Sequence, residues 1–320
     1  MHNLNMRIGA SLAVFSALAI LPVNAEEKIN LYKINLTNSE LKAFALDKQG
    51  ASSSRLTSAN LGYDEFRERV FKEPFEGGLY IVNGDTTVES EKELEAFFEK
   101  EIFLEWPSTK FGALIVNTEK GRITGWDNIQ KTALTYCVSK EFGARYNTVV
   151  LEMANATAVW ETESNIDYIH IQKLDDNCTR NTNDVVFDVR PVDVGGKYLA
   201  RAFFPNYARA NRNILIDPSA FNHSPNSKLT LTGILRHELG HTLGFRHEHT
   251  RPESGACFED NNWIPLGKGE YDGFSVMHYP QCNGLSDWTL TLSEQDKLGV
   301  ACLYGPHPGV TFDSDVCSVN

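Results

Sequence analysis

The chain has 320 residues, enough for one to three domains, with 42% hydrophobic and 22% charged residues. That balance carries ample apolar material for a core and excludes a wholly disordered chain. Thirty Lys and Arg against 42 Asp and Glu leave a net charge of −12, a field that repels polyanions and argues against nucleic acid as a partner.

The N-terminus reads as a targeting segment. Arg7 is the only full charge in the first 25 residues, and residues 8–23 are apolar and small. Val23-Asn24-Ala25 offers small residues where a signal peptidase reads, so residues 1–25 are expected to be a secretory signal peptide cut after Ala25. The apolar run is short for a membrane anchor and ends near Pro22, and no later run reaches spanning length. A secreted protein, extracellular or periplasmic and without a membrane partner, is the expectation.

Residues 26–120 contain no cysteine and read as a separate, weakly cored unit, expected to be a prosegment. Within it, residues 79–82 suggest a short strand followed by the turn Asn83-Gly84-Asp85. Residues 88–104 suggest a helix, with Leu94, Phe97, Phe98 and Ile102 at helical spacing. This unit has 12 basic and 18 acidic residues, a net −6, and the chain after it is acidic too. Charge complementarity is therefore not expected to join the two parts.

From residue 121 to 320 the pattern is denser. Strands are expected at 131–139, 168–171, 185–189, 199–204 and 213–216, and helices at 148–160 and 229–243. An irregular cysteine-bearing tail follows. The order implies an α+β domain of about 200 residues. All six cysteines (137, 178, 257, 282, 302 and 317) lie here, and in an exported chain an even number suggests up to three disulfides, with the pairing left open.

The chemistry concentrates in residues 237–247, His-Glu-Leu-Gly-His-Thr-Leu-Gly-Phe-Arg-His. Residues four apart share one helix face, so His237 and His241 can present two imidazoles to one Zn2+. Gly244 can end the helix and turn the chain back, and His247 then supplies a third ligand. Three nitrogens leave a position open for water, as catalytic zinc requires. Glu238, beside the first ligand, can direct a carboxylate at that water as general base.

This segment resembles the signature of the metzincin zinc endopeptidases, H-E-x-x-H-x-x-G-x-x-H followed by a Met-turn. Ser275-Val276-Met277-His278-Tyr279 is the Met-turn candidate. Phe245, Glu248, Arg251 and a tyrosine two residues after the methionine make the resemblance astacin-like. It implies a zincin catalytic domain with a mixed twisted sheet and an active-site helix, preceded by a small prosegment. It also implies a zinc-dependent endopeptidase, made as a proenzyme, that hydrolyses peptide bonds of protein or peptide substrates. Tyr279 is implied to bond the anion formed in the reaction, and Met277 to floor the histidines. Residues 199–204 resemble the edge strand that pairs with substrate. The chain departs from the family after Arg251, where Pro252-Glu253-Ser254-Gly255 stands, and its cysteine positions are not an evident match.

Astacin-like prosegments carry Phe-x-Gly-Asp, whose aspartate blocks the zinc. Here Phe75-Glu76-Gly77 is followed by Gly78, and the next Gly-Asp is Gly84-Asp85. Asp85 is the candidate blocking residue; the alternative is an ordinary surface turn. A matrixin-like branch is disfavoured by the lack of cysteine in 26–120 and by Glu248 and Tyr279. The competing class of function is a zinc-binding pseudoenzyme or adhesive protein that keeps the fold, against which stands the retained Glu238.

Overall fold

The computed structural model describes residues 62–99, 112–222, 227–255, 257 and 263–317. The expected signal peptide and Ile102 of the expected front helix lie outside the described residues.

The front part is built from α1 (Tyr63–Arg69), β1 (Phe71–Lys72), β2 (Tyr80–Val82), β3 (Thr86–Val88) and α2 (Glu91–Phe97). The strands form an antiparallel sheet in chain order, with Ile81 opposite both Phe71 and Thr87. It has a core of its own, made by Phe66, Tyr80, Val82, Val88, Leu94, Phe97 and Phe98. The helix expected from residue 88 starts three residues later. Val88 is held in the sheet opposite Tyr80, and the Ser90 hydroxyl accepts from Glu93 N, which fixes the helix start.

The main domain is α+β. β6 (Leu134–Val138), β7 (Tyr168–His170), β8 (Phe187–Pro191), β9 (Ala200–Arg201) and β10 (Asn213–Ile216) form a five-stranded sheet, in the order β7-β6-β8-β10-β9. The first four run parallel and β9 runs antiparallel at the edge, so the sheet is mixed. The long α3 (Tyr146–Glu163) buries Val149, Met153, Ala156 and Trp160, a stripe with alternating steps of four and three residues. Trp160 Nε1 donates to Arg236 O at 3.0 Å and so ties α3 to α4 (Leu231–Thr242).

A second sheet joins β4 (Ile115–Glu119) to β5 (Arg122–Ile123) and to β11 (Trp263–Pro265). Residues 113–116 are wholly buried, and Gly112 N and Ala113 N donate to Gly269 O and Leu266 O. Residues 112–119 thus pack as part of the main domain, on the near side of the expected boundary at residue 120.

The expected irregular tail contains a helix, α5 (Glu294–Tyr304). Ser293 and Asp296 close a reciprocal capping box at its start, and Tyr304 donates to Leu243 O at 2.6 Å. All six cysteines pair, as Cys137–Cys178, Cys257–Cys282 and Cys302–Cys317. No helix among the described residues is long and apolar enough to cross a membrane.

Candidate active site

α4 starts at Thr230, whose hydroxyl accepts from Gly233 N, and runs through the core to Thr242. His237 and His241 lie one turn apart on its buried face, ring centroids 5.0 Å from each other. The helix ends because Gly244 takes φ +98, which L side chains avoid, and an added Cβ would run into Thr124 O. Asn117 N on β4 donates to Gly244 O and Arg246 N donates to Ile115 O, so β4 fixes the turn that brings His247 back. His247 Nε2 then stands 3.1 Å from both His237 Nε2 and His241 Nε2.

The other ring nitrogens decide what two of those atoms are. His237 Nδ1 lies 2.7 Å from Val276 O, and His241 Nδ1 lies 2.7 Å from Phe245 O. A carbonyl only accepts, so both Nδ1 atoms carry the proton and both Nε2 atoms present lone pairs. Burial pushes His247 down to about 3 and also lowers His241, in each case against the pull of Asp85. Neutral imidazoles whose lone pairs converge, together with a carboxylate, repel one another unless a cation sits among them. The donor set therefore fits a divalent metal of zinc's kind.

That carboxylate is Asp85. Its oxygens lie 3.4, 3.3 and 3.0 Å from Nε2 of His237, His241 and His247. The four residues form a group that could hold a metal ion. Gly84 makes the approach possible: φ is +87, and a Cβ there would sit 2.7 Å from the Tyr279 hydroxyl. The ordinary surface turn is thus excluded for Asn83-Gly84-Asp85, since Asp85 is buried in the main domain's cleft.

Glu238 is 2% exposed, and its Oε2 has no hydrogen-bond partner among the described residues. Burial first, and then the Asp85 charge, push its pKa well above the carboxylate range. Tyr279 donates to Asp85 Oδ2 at 2.6 Å, and its ring stacks on His237 and His249. Met277 is fully buried beneath α4 with Sδ against Gly240, where any side chain would collide with it. Tyr198, Leu199, Ile234 and Leu290 complete the cleft wall beside these groups.

Sequence reasoning missed Asp296. This buried residue on α5 accepts from Ser275 Oγ at 2.5 Å and Val276 N at 2.7 Å, and burial lifts it to about 6. It clamps the Met-turn, whose Val276 carbonyl orients His237. The signal that could have found it is the capping pair Ser293-x-x-Asp296, which announces a helix.

Glu248 is not solvent-exposed. It is fully buried, and its Oε1 accepts from Arg251 Nη1 at 2.9 Å and Asp272 N at 3.1 Å. Arg251 Nη1 also donates to Gly112 O and Ala113 O, at 3.0 and 3.2 Å. His249 and His278 are core residues, and His170 pairs with Asp175.

The family model described as matrixin matches residues 126–254. Over 64 residues the chain is 38% identical to tolloid-like protein 2 of Mus musculus and of Homo sapiens, which covers 15% of this chain and 6% of each relative. Over 105 residues it is 30% identical to astacin-like metalloprotease toxin 2 of Loxosceles intermedia, covering 28% of this chain and 41% of that relative. The chain spans less than half the length of the curated relatives it matches. The histidine cluster and the α+β architecture are consistent with these likenesses to metzincin-type domains, the astacin-like kind among them.

Proposed function

From a metzincin-type domain as premise, we propose a secreted zinc endopeptidase of the astacin-like kind, made as a proenzyme. The observation that carries this reading is the convergence of three imidazole Nε2 atoms beside a buried glutamate with an unpartnered oxygen. His237, His241 and His247 would hold the metal. When bound, zinc supplies Lewis-acid activation of a water and of the scissile carbonyl.

The chain's own residues do the rest. Glu238 takes the water's proton as it attacks the peptide carbonyl and passes it to the leaving amine. Tyr279, once relieved of Asp85, offers its hydroxyl to the developing oxyanion. In the proform Asp85 fills the ligand cluster and takes the Tyr279 hydroxyl. Departure of the front segment frees both. The cysteine-free composition of residues 26–120 and their cysteine-rich successor support secretion and removal.

Two measurements test this. Protein purified without added metal should contain one zinc per chain. After activation it should cleave unfolded casein, with activity lost to a chelator and restored by zinc. Absence of zinc and of zinc uptake would sink the metal assignment. Retained zinc with no cleavage of any peptide would favour the pseudoenzyme.

The processing site follows from packing. Removing residues 112–119 would strip β4 from its sheet and take away the backbone that fixes His247. The active form should therefore begin no later than Gly112. Mass spectrometry of the N-terminus reads this directly, and a fully active form starting beyond Gly112 would refute it.

A further inference from the structure

A second buried charge joins the front segment to the main domain. Arg201, on edge strand β9, is 2% exposed. Its Nε donates to Glu73 Oε1 at 2.9 Å and its Nη2 to Glu73 Oε2 at 3.0 Å, a two-pronged grip on one carboxylate. Tyr198 donates its hydroxyl to Glu73 Oε1 at 2.5 Å. Asn213 holds the remaining prong, Arg201 Nη1, at 2.5 Å through Oδ1, and so presets the fork. Glu73 is thus received by side chains of the main domain, although both parts of the chain are acidic overall.

The place of this grip matters. Tyr198, Leu199 and Ala200 wall the cleft that also exposes His237 and Glu238. One residue beyond Arg201, the Ala202 carbonyl lies 3.4 Å from the Thr87 hydroxyl of the front segment. Glu73, Asp85 and Thr87 therefore meet the same strand and cleft that a substrate peptide would need. Among the described residues, Glu73 is the only carboxylate bonded to Arg201. When the front segment leaves, a preset guanidinium fork and a tyrosine hydroxyl remain without their anion, and an uncompensated buried cation favours acquiring another one.

We infer that Arg201 and Tyr198 form a carboxylate subsite of the mature cleft, filled by Glu73 in the proform and by an acidic side chain of the substrate peptide after activation. This rests on the reading of the chain as a peptidase with a removable prosegment, and it adds the chemical class of substrate. Arg201 supplies the planar two-pronged match that a lysine lacks, and Tyr198 adds a third donor to the same oxygen.

The test starts from the full chain, zinc-loaded and cleaved to remove the front segment. Calorimetric titration with a synthetic peptide of residues 71–89 is compared with the same peptide carrying Glu73→Gln. The Gln peptide should bind ~10–100-fold more weakly, the range for losing hydrogen bonds to a charged group. In protein carrying Arg201→Gln that ratio should collapse towards one. Tyr198→Phe, which keeps the ring packing, should reduce it, and serves if Arg201→Gln does not fold. Equal binding of the two peptides to wild-type protein, or a ratio that neither variant changes, overturns the subsite. In parallel, a peptide library digested by the wild type should show Asp and Glu enriched at one fixed position from the cut bond, with the enrichment lost in Tyr198→Phe. Cleavage with no acidic enrichment overturns the substrate claim. If no peptide is cut, the peptidase reading fails, and the titration still decides the subsite.

Discussion

Replacing Glu238 with glutamine should lower peptide hydrolysis by ~10²–10⁴-fold, the range typical of losing a general base, while zinc stays bound. The substitution preserves size, and the histidines keep their carbonyl partners at Val276 and Phe245. What disappears is the group able to accept a proton, beside the ligand cluster and with one oxygen unpartnered. The check pairs turnover of an activated, correctly folded variant with its metal content. Near-normal activity at full zinc would refute the assignment. Tyr279→Phe should cost less, because it removes one hydrogen-bond donor and leaves the base and the ligands in place.

Asp85→Ala should give a proform that is prematurely active or cuts itself without added protease. Asp85 is the carboxylate lying closest among the three imidazoles, and it also holds the Tyr279 hydroxyl. Losing such contacts should weaken the hold on the cleft by roughly 10–100-fold, the equivalent of a hydrogen bond to a charged group. The front segment keeps its Glu73–Arg201 pair and the Tyr207 hydroxyl bond to Thr87 O, so the variant should still fold as a proform. The readout is casein cleavage and fragment pattern over time, against wild type. A variant that stays as latent as wild type would leave steric covering as the better account.

The parts of the site that the sequence made legible are local ones. His237 and His241 share a helix face because of helix pitch alone, and Gly244 marks the turn to His247 by its backbone freedom. The strand and turn at residues 79–85 were readable for the same reason, and Gly84-Asp85 stood out as a flexible carboxylate. What stayed hidden depends on distant partners. The Glu73–Arg201 pair joins residues 128 apart in sequence, and net charge concealed it, since two acidic bodies can still meet at one opposite pair. The run 113–116 looked like the end of the front segment because it has no cysteine, yet its burial comes from β11, far along the chain. The edge strand expected over residues 199–204 contracts to Ala200–Arg201, because only these pair with β10. α5 was readable in principle from its capping pair, but its weak amphipathic pattern hid it within a cysteine-bearing tail.

The front segment's private core of Phe66, Tyr80, Val82, Leu94 and Phe97 has a consequence for the timing of activation. A single cut within residues 100–111 breaks none of the described contacts of the front segment with the cleft, such as those of Asp85 with His247 and of Glu73 with Arg201. On the proposed proenzyme reading, the front segment would then stay seated by those contacts, while its effective concentration falls from the ~mM level of a flexible linkage to that of the solution. Onset of activity would follow mass action, with dilution or degradation of the released body freeing the enzyme. Nicking and activation would be two events, separated by a dissociation step that the environment sets.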